Sequence, residues 1–256
     1  MRSYEDLVRE ASEADVDGWD FGWLDGRASE ERPPWGFARL LARTLATVDS
    51  ALDIDTGGGE VLDQAPRIPP RMLALEGWPP NLQRARERLG PRGVEVLQSM
   101  PDRPWPVADA SVALVSSRHP VRPDWLQIVR VLEPGGVYLA QHVGPASAFA
   151  LIERFLGPQP EARKGRDPER ERHDAAQAGL VVDEIRTATC RMEFHDVGAV
   201  VWILRACVWW VPDFTVARYE GVLRELDAQM RHGRPFVAHS TRHLIRAHRP
   251  GSEGAQ

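Results

Sequence analysis

Between Ser50 and Val143 the chain alternates short apolar runs with segments of helical periodicity, and no other feature limits its fold so strongly. "SALDID", "RMLALEG", "GVEVLQ", "SVALVSS" and "GVYLAQHV" read as strands. The first is followed by a glycine turn and a short helix near 59–65. The second precedes "PPNLQRARERLG", a helix with proline in its first turn and Gly90 at its stop. "PDWLQIVRVLEPGG" predicts a helix closed by a Pro-Gly-Gly turn that feeds the fifth strand. Strands separated by helices of this length make βαβ units, and strands that are nearly all apolar need cover on both faces. The expected class is therefore α/β, a doubly wound Rossmann-like sheet, mostly parallel, with helices on both faces.

Upstream, "PPWGFARLLARTLATVD" predicts a helix ending near Asp49, preceded by a polar, acidic segment over 1–33 that carries Trp19, Phe21 and Trp23. Downstream, "PASAFALIERFLG" reads as a helix and "PQPEARKGRDPERER" as an exposed connection. "HDAAQAGLVVDEIRTAT" gives helix, glycine stop and strand; "DVGAVVWILRACVWW" and "TVARYEGVLRELDAQMRH" give two more helices. "PFVAHSTRHLIRAHR" alternates as a last, antiparallel strand. The two late strands bring the expected sheet to seven. One domain over 1–256 is expected, with a cofactor-binding core at 34–145 and acceptor-side helices and last strands at 146–256.

A chain of 256 residues buries enough core to fold without a metal or disulfide. Its two cysteines, Cys190 and Cys207, sit in apolar surroundings and read as buried thiols. The N-terminus has no apolar signal core, and no run approaches the ~18 apolar residues of a membrane span. A cytoplasmic protein is expected, with no membrane partner. The net charge of −5 argues against a broad grip on phosphate backbones.

Gly57, Gly58 and Gly59 follow the first strand, where glycine lets backbone approach a ligand and a helix start offers free N–H donors. Such a turn can equally be no more than a tight turn. Glu76, however, ends the second strand, 19 residues after Gly57. An acidic side chain there can accept hydrogen bonds from both hydroxyls of a ribose.

"LDIDTGGGE", "LALEGWPPNLQRAR", "WPVADASVALVSSRHP" and "IVRVLEPGGVYLAQHV", in this order and spacing, resemble the class I S-adenosylmethionine-dependent methyltransferases over roughly residues 34–145. The resemblance implies S-adenosyl-L-methionine as cofactor. It implies Asp53 and Gly57, Gly58 and Gly59 beside its methionine portion, with Glu76 on the ribose. Gly77 and Trp78 would flank the adenosine, and Ser116, Ser117, Arg118 and His119 would line the methionine portion near the transferred methyl. The N-terminal aromatics, Trp23 among them, either fold over the pocket or pack against the helical layer.

Two departures from the family stand out. Family members normally carry glycine where this chain has Asp55; aspartate tolerates unusual backbone angles, so the turn can survive. The adenine-binding aspartate expected after the third strand has no direct counterpart in "QSMPDRPWP". Asp102, or backbone groups of Ser99 and Met100, would take its place.

Removing a proton from an acceptor calls for a base, and His119 and His142, after the fourth and fifth strands, are the candidates, with His195 behind them. "SSRHP" stands where amino-methylating enzymes carry an Asn-Pro-Pro-Tyr tetrapeptide, and neither cysteine suits covalent catalysis. A small-molecule acceptor is the first expectation. The tail from Arg231 to Arg249 holds five arginines and no acid, which keeps an RNA methyltransferase as an alternative. A third is a non-catalytic S-adenosylmethionine-binding regulatory protein, given Asp55 and the missing adenine aspartate. Trp202, Trp209, Trp210 and Phe214 read as core or as the wall of an apolar acceptor pocket.

Overall fold

A computed structural model describes residues 2–18 and 21–251, so Trp19 lies outside the described residues. The chain forms two compact units. The larger comprises Pro33–Gly144, Arg166–Ala188 and Arg242–Gln256; the smaller comprises Met1–Arg32, Pro145–Gly165 and Thr189–Thr241.

In the larger unit, the elements run α2 (Phe37–Leu45), β2 (Ser50–Ile54), α3 (Glu60–Asp63), β3 (Arg71–Glu76), α4 (Pro79–Leu89), β4 (Val94–Gln98), β5 (Val112–Arg118), α5 (Trp125–Val131) and β6 (Leu132–Val143). It also holds α7 (Pro168–Gln177) and parts of two long strands, β7 (Val181–Phe194) and β8 (Phe236–His248). The strand order is β7-β8-β6-β5-β2-β3-β4. From β4 to β6 neighbours are parallel, and β8 is antiparallel to β6. The doubly wound sheet and the antiparallel last strand are thus as the apolar runs predict.

Alternate strand residues serve opposite faces. Ala51, Met72, Ala74 and Leu114 pack with Leu41 and Leu45 of α2 and with Leu82, Ala85 and Leu89 of α4. Leu52, Leu73, Leu75, Val115 and Tyr138 pack with Ile128 and Val131 of α5 and with Ala175 of α7. Each face is sealed by helices, which is why these strands are apolar throughout.

Three boundaries differ from expectation. The helix expected through Gly136 ends at Val131, because Leu132 already pairs with Val112; a register shift between Val112 and Leu114 absorbs the Pro-Gly-Gly segment inside β6. The expected exposed connection stops at Asp167, whose side chain caps α7, so Glu171 belongs to a helix. The last helix, α9 (Glu220–Arg231), begins later than the sequence periodicity predicts.

The smaller unit holds α1 (Tyr4–Glu13), β1 (Ala28–Glu30), α6 (Phe149–Leu156), α8 (Val197–Ala206) and α9, with the later part of β7 paired antiparallel to β1. β1 is an eighth strand, too short to leave an alternation in the sequence. Helix α8 is buried from Val197 to Leu204 and forms the centre of this unit. Trp23 stacks on Trp202 at 5.9 Å and Phe21 meets the same ring edge-on at 5.7 Å, so these aromatics pack against a helix. Cys190 and Cys207 are buried; burial, with Glu30 adding to it, pushes the Cys207 thiol up to about 12. Among the described residues no helix is long and apolar enough to cross a membrane.

Candidate functional site

Strand order reverses between β2 and β5, and in an open α/β sheet this switch point is where ligands settle, beyond the carboxyl ends of the strands. The turn after β2 lies there. Its backbone is left-handed at Asp55 (φ 52°), Gly57 (φ 64°) and Gly59 (φ 84°). Asp55 therefore occupies a glycine-type conformation, which aspartate accepts better than most residues. A Cβ on Gly59 would come within 2.8 Å of the Leu89 side chain, so glycine there lets the turn close onto α4. Arg88 holds the turn from α4 by bonding the Gly58 carbonyl and the Glu60 carboxylate.

Glu76, at the end of β3, ties this turn to the next. The Gly57 N–H donates to Oε2 and the Trp78 N–H to Oε1, both at 2.8 Å. With the Gly77 N–H also acting on it, the carboxylate still has lone-pair capacity for a ligand hydroxyl. Burial raises the Glu76 pKa, against the lowering effect of the Trp78 and Gly57 N–H groups. Next in the wall, the Ser99 N–H donates to the Glu76 carbonyl at 3.1 Å, and a Cβ on Gly77 would lie 3.2 Å from Ser99 Oγ. Trp78 and Met100 are exposed, and Asp102 follows in a turn with φ 60°.

Asp53 bridges β2 and β5: its Oδ1 accepts the Ser116 hydroxyl at 2.5 Å. Burial lifts its pKa to about 6, despite the Ser116 bond and the lowering effect of the nearby Thr56 hydroxyl. Neighbouring Ser117 donates to the Ile54 carbonyl at 3.0 Å. Part of Asp55 reaches solvent, yet the atoms crowded round its carboxyl raise its pKa, with the Val121 N–H acting the other way. Three carboxylates thus surround one turn.

His119, just past β5 and left-handed (φ 61°), donates its backbone N–H to the Gln141 carbonyl at 2.7 Å. The Trp35 indole, a donor only, reaches Gln141 Oε1 at 2.7 Å, which turns the Gln141 amide nitrogen toward His119 Nε2 at 2.9 Å. His119 Nε2 is therefore an acceptor, and in the neutral ring Nδ1 carries the proton. Burial, aided by the positive charge of Arg118, Arg242 and Arg166 and by His142, holds the His119 pKa well below its usual value, so the ring is neutral at pH 7.

His142 is engaged on both ring nitrogens, by Glu171 Oε2 at 2.6 Å from Nδ1 and by the Tyr138 hydroxyl at 2.9 Å from Nε2. His243 Nε2 approaches the same Glu171 oxygen at 2.8 Å. Burial acts to raise the Glu171 pKa, but the two imidazoles outweigh it and hold the carboxyl at about 2. His142 is lowered by burial, against the pull of Glu171.

The geometry gathers the residues singled out in the sequence at the carboxyl ends of β2, β3, β4 and β5, with His142 near the end of β6. His195 caps no part of this group; it follows β7 in the smaller unit, where its N–H donates to the Arg27 carbonyl at 2.8 Å. Sequence reasoning missed Trp35, Tyr138, Gln141, Glu171 and His243. Tyr138 and His142 share strand parity, and His243 lies opposite His142 once β6 and β8 are in register. Glu171 had no such signal, being one acid in a charged run.

No family model and no curated protein matches the sequence. Solved structures do. A candidate methyltransferase from Bacillus halodurans superimposes with TM-score 0.59 at 19% identity, covering 83% of this chain and 98% of that one. A candidate sarcosine dimethylglycine methyltransferase from Galdieria sulphuraria gives TM-score 0.51 at 18% identity, covering 84% of each chain. The cyclase SpnF gives 0.55 at 15% identity, covering 96% and 92%. The fold is that of the class I methyltransferases, and the cyclase makes plain that this fold also serves other chemistry.

Proposed function

We propose that the protein is an S-adenosylmethionine-dependent methyltransferase acting on a small-molecule acceptor. The observation that carries this reading is the Glu76 carboxylate, bonded to the N–H groups of Gly57 and Trp78 at the switch point, with lone-pair capacity left for a ligand hydroxyl. The donor set fits the cofactor. Glu76 would accept the ribose hydroxyls, Gly77 and Trp78 would flank the adenosine, and Ser99, Met100 or Asp102 would meet the adenine. Asp53 and Asp55 supply negative charge for a ligand bearing a sulfonium and an ammonium, and a cation would favour the ionised form that burial of Asp53 resists. Bound there, S-adenosylmethionine supplies an electrophilic methyl group.

The chain's own groups would hold the acceptor in line. Ser116, Ser117 and Arg118 lead to His119, whose neutral ring presents an Nδ1–H donor while Gln141 occupies Nε2. His142 has both ring nitrogens taken, by Tyr138 and Glu171, so it would serve as a base only after one of these bonds opens. The name of the Galdieria neighbour, which refers to small amines, supports a small acceptor, as do the net charge of −5 and the "SSRHP" segment.

Calorimetry with S-adenosylmethionine and S-adenosylhomocysteine tests the reading. Micromolar binding is expected, and Glu76→Ala should weaken it at least about tenfold, the worth of one to two hydrogen bonds. Absence of binding to either ligand overturns the assignment. A labelled-methyl screen of metabolites and RNA then identifies the acceptor class; transfer to RNA alone, with affinity falling steeply in salt, would replace the small-molecule reading.

A further inference from the structure

The residues that the methyl-transfer reading leaves least employed are His142, His243 and Glu171. The two histidines face each other across the β6–β8 pair, and α7 lays Glu171 over them. Both imidazoles are buried, with side-chain exposures of 2% and 0%, and Glu171 retains only 16%. Strands and a helix fix all three, and one donor atom from each lies within 4.8 Å of the others.

We propose that His142, His243 and Glu171 bind one divalent transition-metal ion, with two imidazole nitrogens and one carboxylate oxygen on one side and the remaining positions open to water or another oxygen ligand. Two nitrogens and one oxygen suit ions of borderline softness such as zinc, cobalt or iron(II). Calcium and magnesium prefer oxygen alone.

The present contacts are hydrogen bonds, His142 Nδ1 to Oε2 at 2.6 Å and His243 Nε2 to Oε2 at 2.8 Å. Ligand atoms at tetrahedral zinc are about 3.3 Å apart, so the carboxylate must withdraw by roughly half an ångström and the two imidazole nitrogens, within 4.8 Å of each other, must settle at the same spacing. Rotation of the glutamate side chain covers the first movement, and small turns of the two rings the second.

The protons can be accounted for. In the neutral tautomers that serve Glu171, His142 carries its proton on Nδ1 and His243 on Nε2. From those tautomers, binding an ion moves each proton to the opposite ring nitrogen. For His142 that nitrogen faces the Tyr138 hydroxyl, which can switch from donating to accepting and so hold the ring in either tautomer. A ligand histidine bonded through its second nitrogen is the usual outer arrangement of a metal site. For His243 the proton moves to Nδ1, which has no hydrogen-bond partner at present.

The test uses the full chain, stripped with a chelator and titrated with cobalt(II) in the absence of any nucleoside cofactor. One equivalent should bind with visible absorption of a four- or five-coordinate site, and zinc should displace it. His243→Ala and Glu171→Gln should each weaken binding at least about tenfold. Glu171→Gln keeps the side chain's shape, so it remains informative if the alanine variant fails to fold by circular dichroism. Tyr138→Phe should weaken binding less than either ligand change. Failure to bind cobalt or zinc, binding of magnesium only, or affinity unchanged in both ligand variants overturns the proposal and leaves a structural hydrogen-bond cluster only. Because the readout needs no S-adenosylmethionine, it succeeds or fails separately from the proposed function.

Discussion

Asp53 and Glu171 are both carboxylates in the body of the larger unit, and the protein treats them in opposite ways. Burial drives both toward the neutral form. Asp53, given the Ser116 hydroxyl as donor and the nearby negative charge of Asp55, rises to about 6; Glu171, given two imidazoles, is held at about 2. Burial therefore sets the direction only until a partner able to carry positive charge is supplied. One carboxylate is kept poised at the glycine turn. The other is locked into a network between strands.

The contrast can be broken most forcefully at Glu171. Glu171→Ala leaves two buried histidines without their shared acceptor, and urea unfolding at pH 7.5 should show a loss of about 3–5 kcal/mol. A loss below about 1 kcal/mol would mean that the network contributes little to the fold.

Asp53 should give the opposite sign. A carboxyl whose folded pKa exceeds its unfolded value contributes stability that is fully present below about 3.8 and lost as pH rises through about 6. The gap corresponds to about 3 kcal/mol. Asp53→Asn cannot ionise, so its stability relative to the wild type should improve by up to that amount between pH 4 and pH 7.5. A constant difference across that range would show that Asp53 is not strained by burial.

Within the turn itself, Gly59→Ala should cost about 2 kcal/mol, from a positive φ and a Cβ pressed on Leu89. Thermal unfolding measures it, and an unchanged midpoint would mean the turn relaxes freely. The smallest effect is expected for Asp55→Gly. Relief of a left-handed φ offsets lost rigidity and the Val121 contact, leaving stability within about 1 kcal/mol. Cofactor affinity, measured on the same variant, tells whether the Asp55 carboxylate is used.

The two regions also differ in how legible they were. Gly57, Gly58, Gly59 and Glu76 announced themselves because a turn after a strand is a local event, written in adjacent residues and in the next strand's end. The network at Glu171 was hidden because its members come from β6, α7 and β8, with Glu171 and His243 72 positions apart. Glu171 lies among charges that looked like a solvated linker, and only the helix cap at Asp167 reveals that the run turns inward. His142 reads as a base from its place after the fifth strand, but both its ring nitrogens are bonded, which single-chain spacing cannot disclose.

By itself the sequence determined the order of strands and helices, the two covered faces of the sheet and the glycine turn with its acidic partner. These follow from periodicity and local backbone preference, which act over a few residues. Only the tertiary structure decided which way the Gln141 amide points and hence which nitrogen of His119 is protonated. It alone aligned His142 opposite His243, and it alone set two buried carboxylates at opposite ends of the pH scale. Those properties depend on which groups meet across the fold, and long-range register, not local composition, brings them together.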